Sequence, residues 1–121
     1  MPELHPILDL DDTLLRLGGD VELLHTLYDA YLEDTPKKMR QLALAIEQDD
    51  FIEVRHIAHT LKGSSATVGA SSMSNIAQAL ENDCIEGKLT DVRSRFIALT
   101  KVFAEATEAI NKQRHNFSSC N

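Results

Sequence analysis

A chain of 121 residues has room for one hydrophobic core, and too little for a binding domain joined to a separate catalytic one. Apolar residues make up 43% of it and aromatics 5%, without Trp, so the core must come mainly from Leu, Ile, Val and Ala, which suits packed helices better than a sheet sandwich. A net charge of −7 argues against nucleic acid as a partner, since phosphate contacts need clustered Lys and Arg.

Two cysteines, Cys84 and Cys120, stand far apart, the second in a polar tail. They form neither a disulfide framework nor a zinc pattern, and a reducing cytoplasm is the expected home. No apolar run approaches the roughly 18 residues of a membrane span, and the opening MPELHPILDLDD lacks the basic and apolar regions of a signal peptide. A soluble chain without membrane contact is expected.

In chain order, Asp11 to Leu17 reads as a short helix carrying Leu14, Leu15 and Leu17 and stopped by Gly18-Gly19. Asp20 is an N-cap for a helix from Val21 to about Glu33, with Leu23, Leu24, Leu27, Tyr28 and Tyr31 recurring at threes and fours. Thr35-Pro36 then offers a cap followed by proline at the first helical position, opening a helix with Met39, Leu42, Ala43 and Ile46 that ends near Gln48. After Asp49-Asp50 a helix runs from Phe51 to about Thr67, with Phe51, Val54, Ala58, Leu61 and Ser65 on its inner stripe and Gly69 past its end. Ser71 or Ser72 can cap the next, with Met73, Ile76, Ala77, Leu80 and Cys84 inward and Gly87 beyond it. Thr90 or Asp91 opens the last, with Val92, Phe96, Leu99, Val102, Phe103, Ala106 and Ile110 as its apolar face. Periodicity is lost after Asn111, so a domain of residues 1–112 followed by a frayed polar tail at 113–121 is expected. Long amphipathic helices with short connections pack most readily as an antiparallel four-helix bundle, the short leading helix lying across one end.

The informative stretch is His56-Ile57-Ala58-His59-Thr60-Leu61-Lys62-Gly63-Ser64-Ser65. At roughly 100° per residue, His59 lies about 130° from the mean direction of the inner stripe and faces solvent. Lys62 and Gly63, three and four positions on, are its neighbours on the helix surface. A glycine inside a helix costs about 1 kcal/mol relative to alanine, and access is a reason to keep it: the missing side chain leaves room for a tetrahedral group beside His59. Lys62 supplies a mobile cation for phosphoryl oxygens. A neutral imidazole is a competent nucleophile near pH 7. His59, Lys62 and Gly63 together describe a phosphoryl-acceptor site.

The segment AHTLKGSSATVGA, Ala58 to Ala70, resembles the central motif of histidine-containing phosphotransfer (HPt) domains of bacterial multistep phosphorelays. The resemblance extends through Gly18-Gly19-Asp20, YLEDTPKKMRQLALAIEQDD and IAQALE, over roughly residues 8 to 112. It implies that His59 accepts a phosphoryl group from a receiver-domain aspartate and passes it to another, with Lys62 and Gly63 in support. It implies further a helical bundle, response-regulator receiver domains and a hybrid sensor kinase as partners, and Mg²⁺ on the receiver rather than on this chain, for which no cofactor and a monomeric state are expected. The family's polar residue on the neighbouring helix falls on Gln78 or Glu81; an ionised Glu81 would repel a phosphoryl dianion unless it bonded a ring N–H instead. No Gly-rich phosphate loop is present, so the chain is not expected to act as a kinase by itself. Ile52, on the solvent side two turns before His59, with Arg55 and His56, is the expected partner-docking patch.

Plainer readings stand beside this one. His56 and His59 could form half of a metal site, although no third ligand is recognisable and Lys62 and Gly63 go unexplained. The acidic DLDD at 9–12 lacks the glycine and glutamate of a calcium loop and reads as helix capping. Ser64 and Ser65 are expected to bond locally or pack, Cys84 to sit in the core, and His5, His25 and His115 to be incidental. A different class of function would be a helical docking or scaffold module that carries no phosphate.

Overall fold

The computed structural model describes residues 6–119, and among these all regular structure is helical: α1 (Leu10–Arg16), α2 (Val21–Glu47), α3 (Phe51–Thr67), α4 (Ser71–Ile85) and α5 (Leu89–Ser119). The four long helices run alternately up and down and pack side by side, α3 most closely against α4. No helix among the described residues is long and apolar enough to cross a membrane. The expected four-helix bundle with a short leading helix is the fold observed.

The core is aliphatic, as the composition requires. Leu24, Leu42, Val54, Leu61, Met73, Leu80, Val92, Leu99 and Ile110 are fully enclosed, with Ile57 joining the inner stripe of α3. Burial of each such Leu or Ile contributes about 1.5–3 kcal/mol. The aromatics are few but placed between helices: Tyr31 stacks edge-on against Phe103 at 6.1 Å and its hydroxyl shares a 2.8 Å hydrogen bond with Ser65. Burial pushes the phenols of Tyr28 and Tyr31 up to about 12. Tyr31 has Ser65 as a partner, whereas the enclosed Tyr28 hydroxyl finds none among the described residues.

Several boundaries differ from expectation: α1 is shifted by one residue at each end, α5 starts at Leu89 before the expected caps Thr90 and Asp91, and three differences are larger. The segments 21–33 and 36–48 are one helix, α2, which passes straight through Pro36. Proline there deprives the Leu32 carbonyl of its donor at a cost of about 3 kcal/mol. The face formed by Leu24, Tyr28, Tyr31, Thr35, Met39, Leu42 and Ile46 is buried without interruption across the proline, however, and a break would turn one half of it away from the core. The N-cap of α4 is Ala70, with no side-chain cap; Ser71 instead bonds the Gly69 carbonyl. The tail expected to fray from 113 continues α5 to Ser119. The apolar face does end at Ile110, and beyond it polar contacts along the bundle take over, with Lys112 paired to Glu108 and Arg114 to Asp29 of α2 at 2.7 Å. Cys120 and His5 lie outside the described residues. Leu23 is 42% exposed despite its place in the α2 pattern, and Cys84 is half-buried against the core.

The loops are short because the helix ends close on themselves. The Asp50 amide reaches the Ala45 carbonyl at the end of α2, and the Ala70 amide reaches Ser65 at the end of α3. Each closure needs one residue in the left-handed region, Asp49 (φ 56°) in the first and Gly69 (φ 77°) in the second. Gly69 is required twice over, since a Cβ there would collide with Thr13 and the Asp9 carbonyl. That close approach lets the N-terminal segment strap the α3–α4 turn, through Asp9 N–H to Gly69 O (2.8 Å) and Ser72 N–H to Pro6 O (2.9 Å). Asp9 also caps α1 by accepting from the Asp12 amide, which accounts for the DLDD cluster.

Candidate functional site

The tight turn folds α3 and α4 into an antiparallel hairpin and sets His59 on one opposite Glu81 on the other. The inner stripe of α3, with Val54, Ile57, Ala58, Leu61 and Ser65 all buried, fixes the helix's rotation. His59 consequently projects from the surface, its side chain 65% exposed. Ser65 holds that rotation through Tyr31, and Ser74 of α4 donates to the Lys62 carbonyl at 3.0 Å, tying the two helices together beside the site.

Glu81 is the centre of the polar network. One carboxylate oxygen lies 2.8 Å from His59 Nδ1 and the other 2.7 Å from Lys62 Nζ, with Gln78 Nε2 at 3.5 Å. The residue is only 7% exposed, yet its pKa is lowered: the hydrogen bond from Lys62 outweighs burial, which acts in the opposite direction, and the bond from His59 adds to the lowering. Glu81 is therefore an acceptor-only carboxylate, and the ring nitrogen facing it must carry the proton. In the neutral ring the remaining nitrogen, Nε2, then holds the lone pair. Nε2 makes no hydrogen bond among the described residues and belongs to an exposed ring.

Of Gln78 and Glu81, the one that contacts His59 is Glu81. Glu81 contacts His59 through the ring N–H, the arrangement that removes the objection to a carboxylate there, whereas Gln78 touches Glu81 and donates to Asn82 at 3.0 Å without reaching the histidine. The missing signal in the sequence was the register of α3 against α4, which no spacing along one helix reveals.

Gly63, one turn after His59 on α3, lies in open space, and a Cβ built there would meet nothing within 4 Å. Its absence of side chain serves no packing contact of the free protein. On the other flank Ile52, Arg55, His56, His59 and Glu81 line an open groove of about 400 Å³, Ile52 being 85% exposed. The three residues expected to dock a partner are thus brought together with the histidine. Lys62 and Gln78 border a second, polar groove of about 600 Å³ that reaches Arg16 of α1. Cys84 is half-buried against the core, and burial raises its thiol pKa. Ser64 bonds within its own helix, to the Leu61 carbonyl.

A helical bundle with an exposed histidine, a half-buried lysine and an open glycine on one helix is a recognisable class. The family model of the Hpt domain matches residues 26–113, and the chain belongs to that family of phosphotransfer carriers in phosphorelays. Among solved structures it is similar to histidine-containing phosphotransfer protein B (HptB) of Pseudomonas aeruginosa PAO1, with 26% identity, a TM-score of 0.84, and coverage of 93% of this chain and 98% of that one. The HPT domain of the Hpt sensor hybrid histidine kinase from Shewanella shares the fold, with a TM-score of 0.81 at 18% identity over 94% of this chain and 97% of that one. No curated protein matches the sequence.

Proposed function

We propose that His59 is the phosphoryl acceptor of a His-Asp relay, taking the group on Nε2 from a receiver-domain aspartyl phosphate and returning it to the aspartate of another receiver. The observation that carries this reading is the 2.8 Å contact of Nδ1 with an ionised Glu81, which supports an unprotonated Nε2 on a ring that is 65% exposed.

The chemistry needs no proton to move. The Nε2 lone pair forms the N–P bond as the P–O bond of the aspartyl phosphate breaks, its electron pair leaving with the carboxylate. The ring becomes cationic with its proton still on Nδ1, where Glu81 stabilises it. In the reverse direction the ring departs as neutral imidazole, again without proton transfer. Lys62 offsets charge on the phosphoryl oxygens, and the space at Gly63 admits them. Mg²⁺ and the acidic residues that hold it belong to the receiver, which docks over Ile52, Arg55 and His56. The phosphoryl group comes from a hybrid kinase by way of a receiver, and this chain acts as a carrier in the cytoplasm rather than as an enzyme.

The test is to incubate the chain with a receiver charged by acetyl phosphate and to assay acid-labile phosphate on wild type, His59→Gln and His56→Gln. The label should vanish in His59→Gln, with the unfolding midpoint nearly unchanged because the side chain is exposed and a glutamine amide keeps a donor for Glu81. It should persist in His56→Gln. A label that survives loss of His59 refutes the assignment.

A further inference from the structure

Lys62 carries one positive charge, and in the free protein that charge is committed, 2.7 Å from Glu81. A phosphoryl group on Nε2 sits on the opposite nitrogen of the ring from the one that Glu81 contacts, so attending it draws the ammonium away from Glu81. The cationic ring still faces the other carboxylate oxygen, but Oε1 loses its donor, and with Glu81 only 7% exposed water can replace the ammonium only in part, which leaves a sheltered acceptor under-satisfied. Something else has to take the vacated oxygen.

Gln78 is placed to do so. It sits one helical turn before Glu81 on α4, with Nε2 3.5 Å from Oε1, the same oxygen that Lys62 holds. Its amide donates chiefly to Asn82 Oδ1 at 3.0 Å, and an NH₂ group has a second hydrogen to give. Closing the longer distance to an ordinary hydrogen bond takes a movement of about 0.5 Å. Lys62 and Gln78 border the same polar groove, which leaves both side chains room to turn.

We infer that Gln78 is a positioning residue for phosphotransfer: when Lys62 swings from Glu81 to the phosphoryl group on His59, Gln78 moves onto the vacated Glu81 oxygen, so that Glu81 stays in place on Nδ1. The inference rests on the carrier reading given above. Gln78 contributes little to the unphosphorylated protein and selectively stabilises the phosphorylated one. A polar residue with a purely structural role would act on both states alike.

The experiment uses the full chain and the receiver that charges it, and measures two quantities: the equilibrium ratio of phosphoryl on His59 to phosphoryl on the receiver, and the urea midpoint of the unphosphorylated chain. Gln78→Leu is expected to lower the phosphorylation ratio on the order of tenfold, the scale of one hydrogen bond to a charged group, with the midpoint unchanged. In a Lys62→Met background no ammonium departs and Gln78 serves Glu81 in both states. There, Gln78→Leu should lower the midpoint and leave the ratio unaltered. A Gln78→Leu ratio equal to wild type, on a chain whose His59 is charged normally, overturns the handover while sparing the carrier reading. A midpoint loss of the same size with and without Lys62 also overturns it. If no receiver places acid-labile phosphate on the wild-type chain, the carrier reading falls and the handover with it.

Discussion

Replacing Glu81 by alanine tests the centre of the network, and the geometry sets the size of the effect. The substitution removes two charge-assisted hydrogen bonds, 2.8 Å to His59 and 2.7 Å to Lys62. Such bonds contribute about 1.5–3 kcal/mol each when sheltered. The partners, however, are 65% and 27% exposed and recover water once released, so no buried charge is stranded. The loss of stability should therefore be about 1–2 kcal/mol, below the 3–5 kcal/mol of a broken buried pair. Transfer should suffer more. The ring loses the contact that holds the proton on Nδ1 and the charge that stabilises the developing imidazolium, effects together worth roughly 10–100-fold in rate. Single-turnover transfer from a charged receiver at saturating concentration measures the rate, and urea unfolding measures the stability. Glu81→Gln should fall between: with its carbonyl oxygen accepting from His59, its NH₂ group opposes the Lys62 ammonium, donor against donor, so the Lys62 bond is lost. An alanine variant that transfers at the wild-type rate, while destabilised as stated, would refute a part for Glu81 in orienting the nucleophile.

Gly63→Leu should raise stability by about 1 kcal/mol, since helix propensity improves and the site is open, while transfer falls steeply because the new side chain occupies the approach to His59; retained transfer would leave the glycine unexplained. Tyr28→Phe should be neutral or stabilising by up to about 1 kcal/mol, because the hydroxyl it deletes is enclosed without a partner among the described residues; a clear loss of urea midpoint would contradict this. The stability contributed by Glu81 follows from a folded-state pKa that is lowered. It is fully present above the unfolded value of about 4.3 and disappears as pH falls through the folded value. The difference in midpoint between wild type and Glu81→Ala should accordingly be constant from neutral pH to about 5 and close in stronger acid, and a gap that widens in acid would reverse the sign of the linkage.

Local patterns determined much of this protein. Amphipathic period placed α3 between Phe51 and Thr67 to within a residue, and the same period sent His59 outward. Lys62 and Gly63 were legible as its neighbours because spacings of three and four are contacts within one helix. Other features needed the assembled bundle. Proline and a capping threonine are local stop signals, and they misplace a boundary at 35–36 because the buried face of α2 runs on through them and outweighs the local cost. The end of α5 was obscured likewise, since its last turns are joined to α2 by a polar contact, Arg114 to Asp29, that leaves no apolar period in the sequence. Glu81 lies 22 positions from His59, and nothing along either helix states which α4 residue will face the ring; the length of the Val68–Ala70 turn and the packing of α3 on α4 decide it. The proposed nucleophile, His59, was thus written in a single helix, whereas the carboxylate that contacts its Nδ1 belongs to a second helix, and only tertiary packing brings the two together.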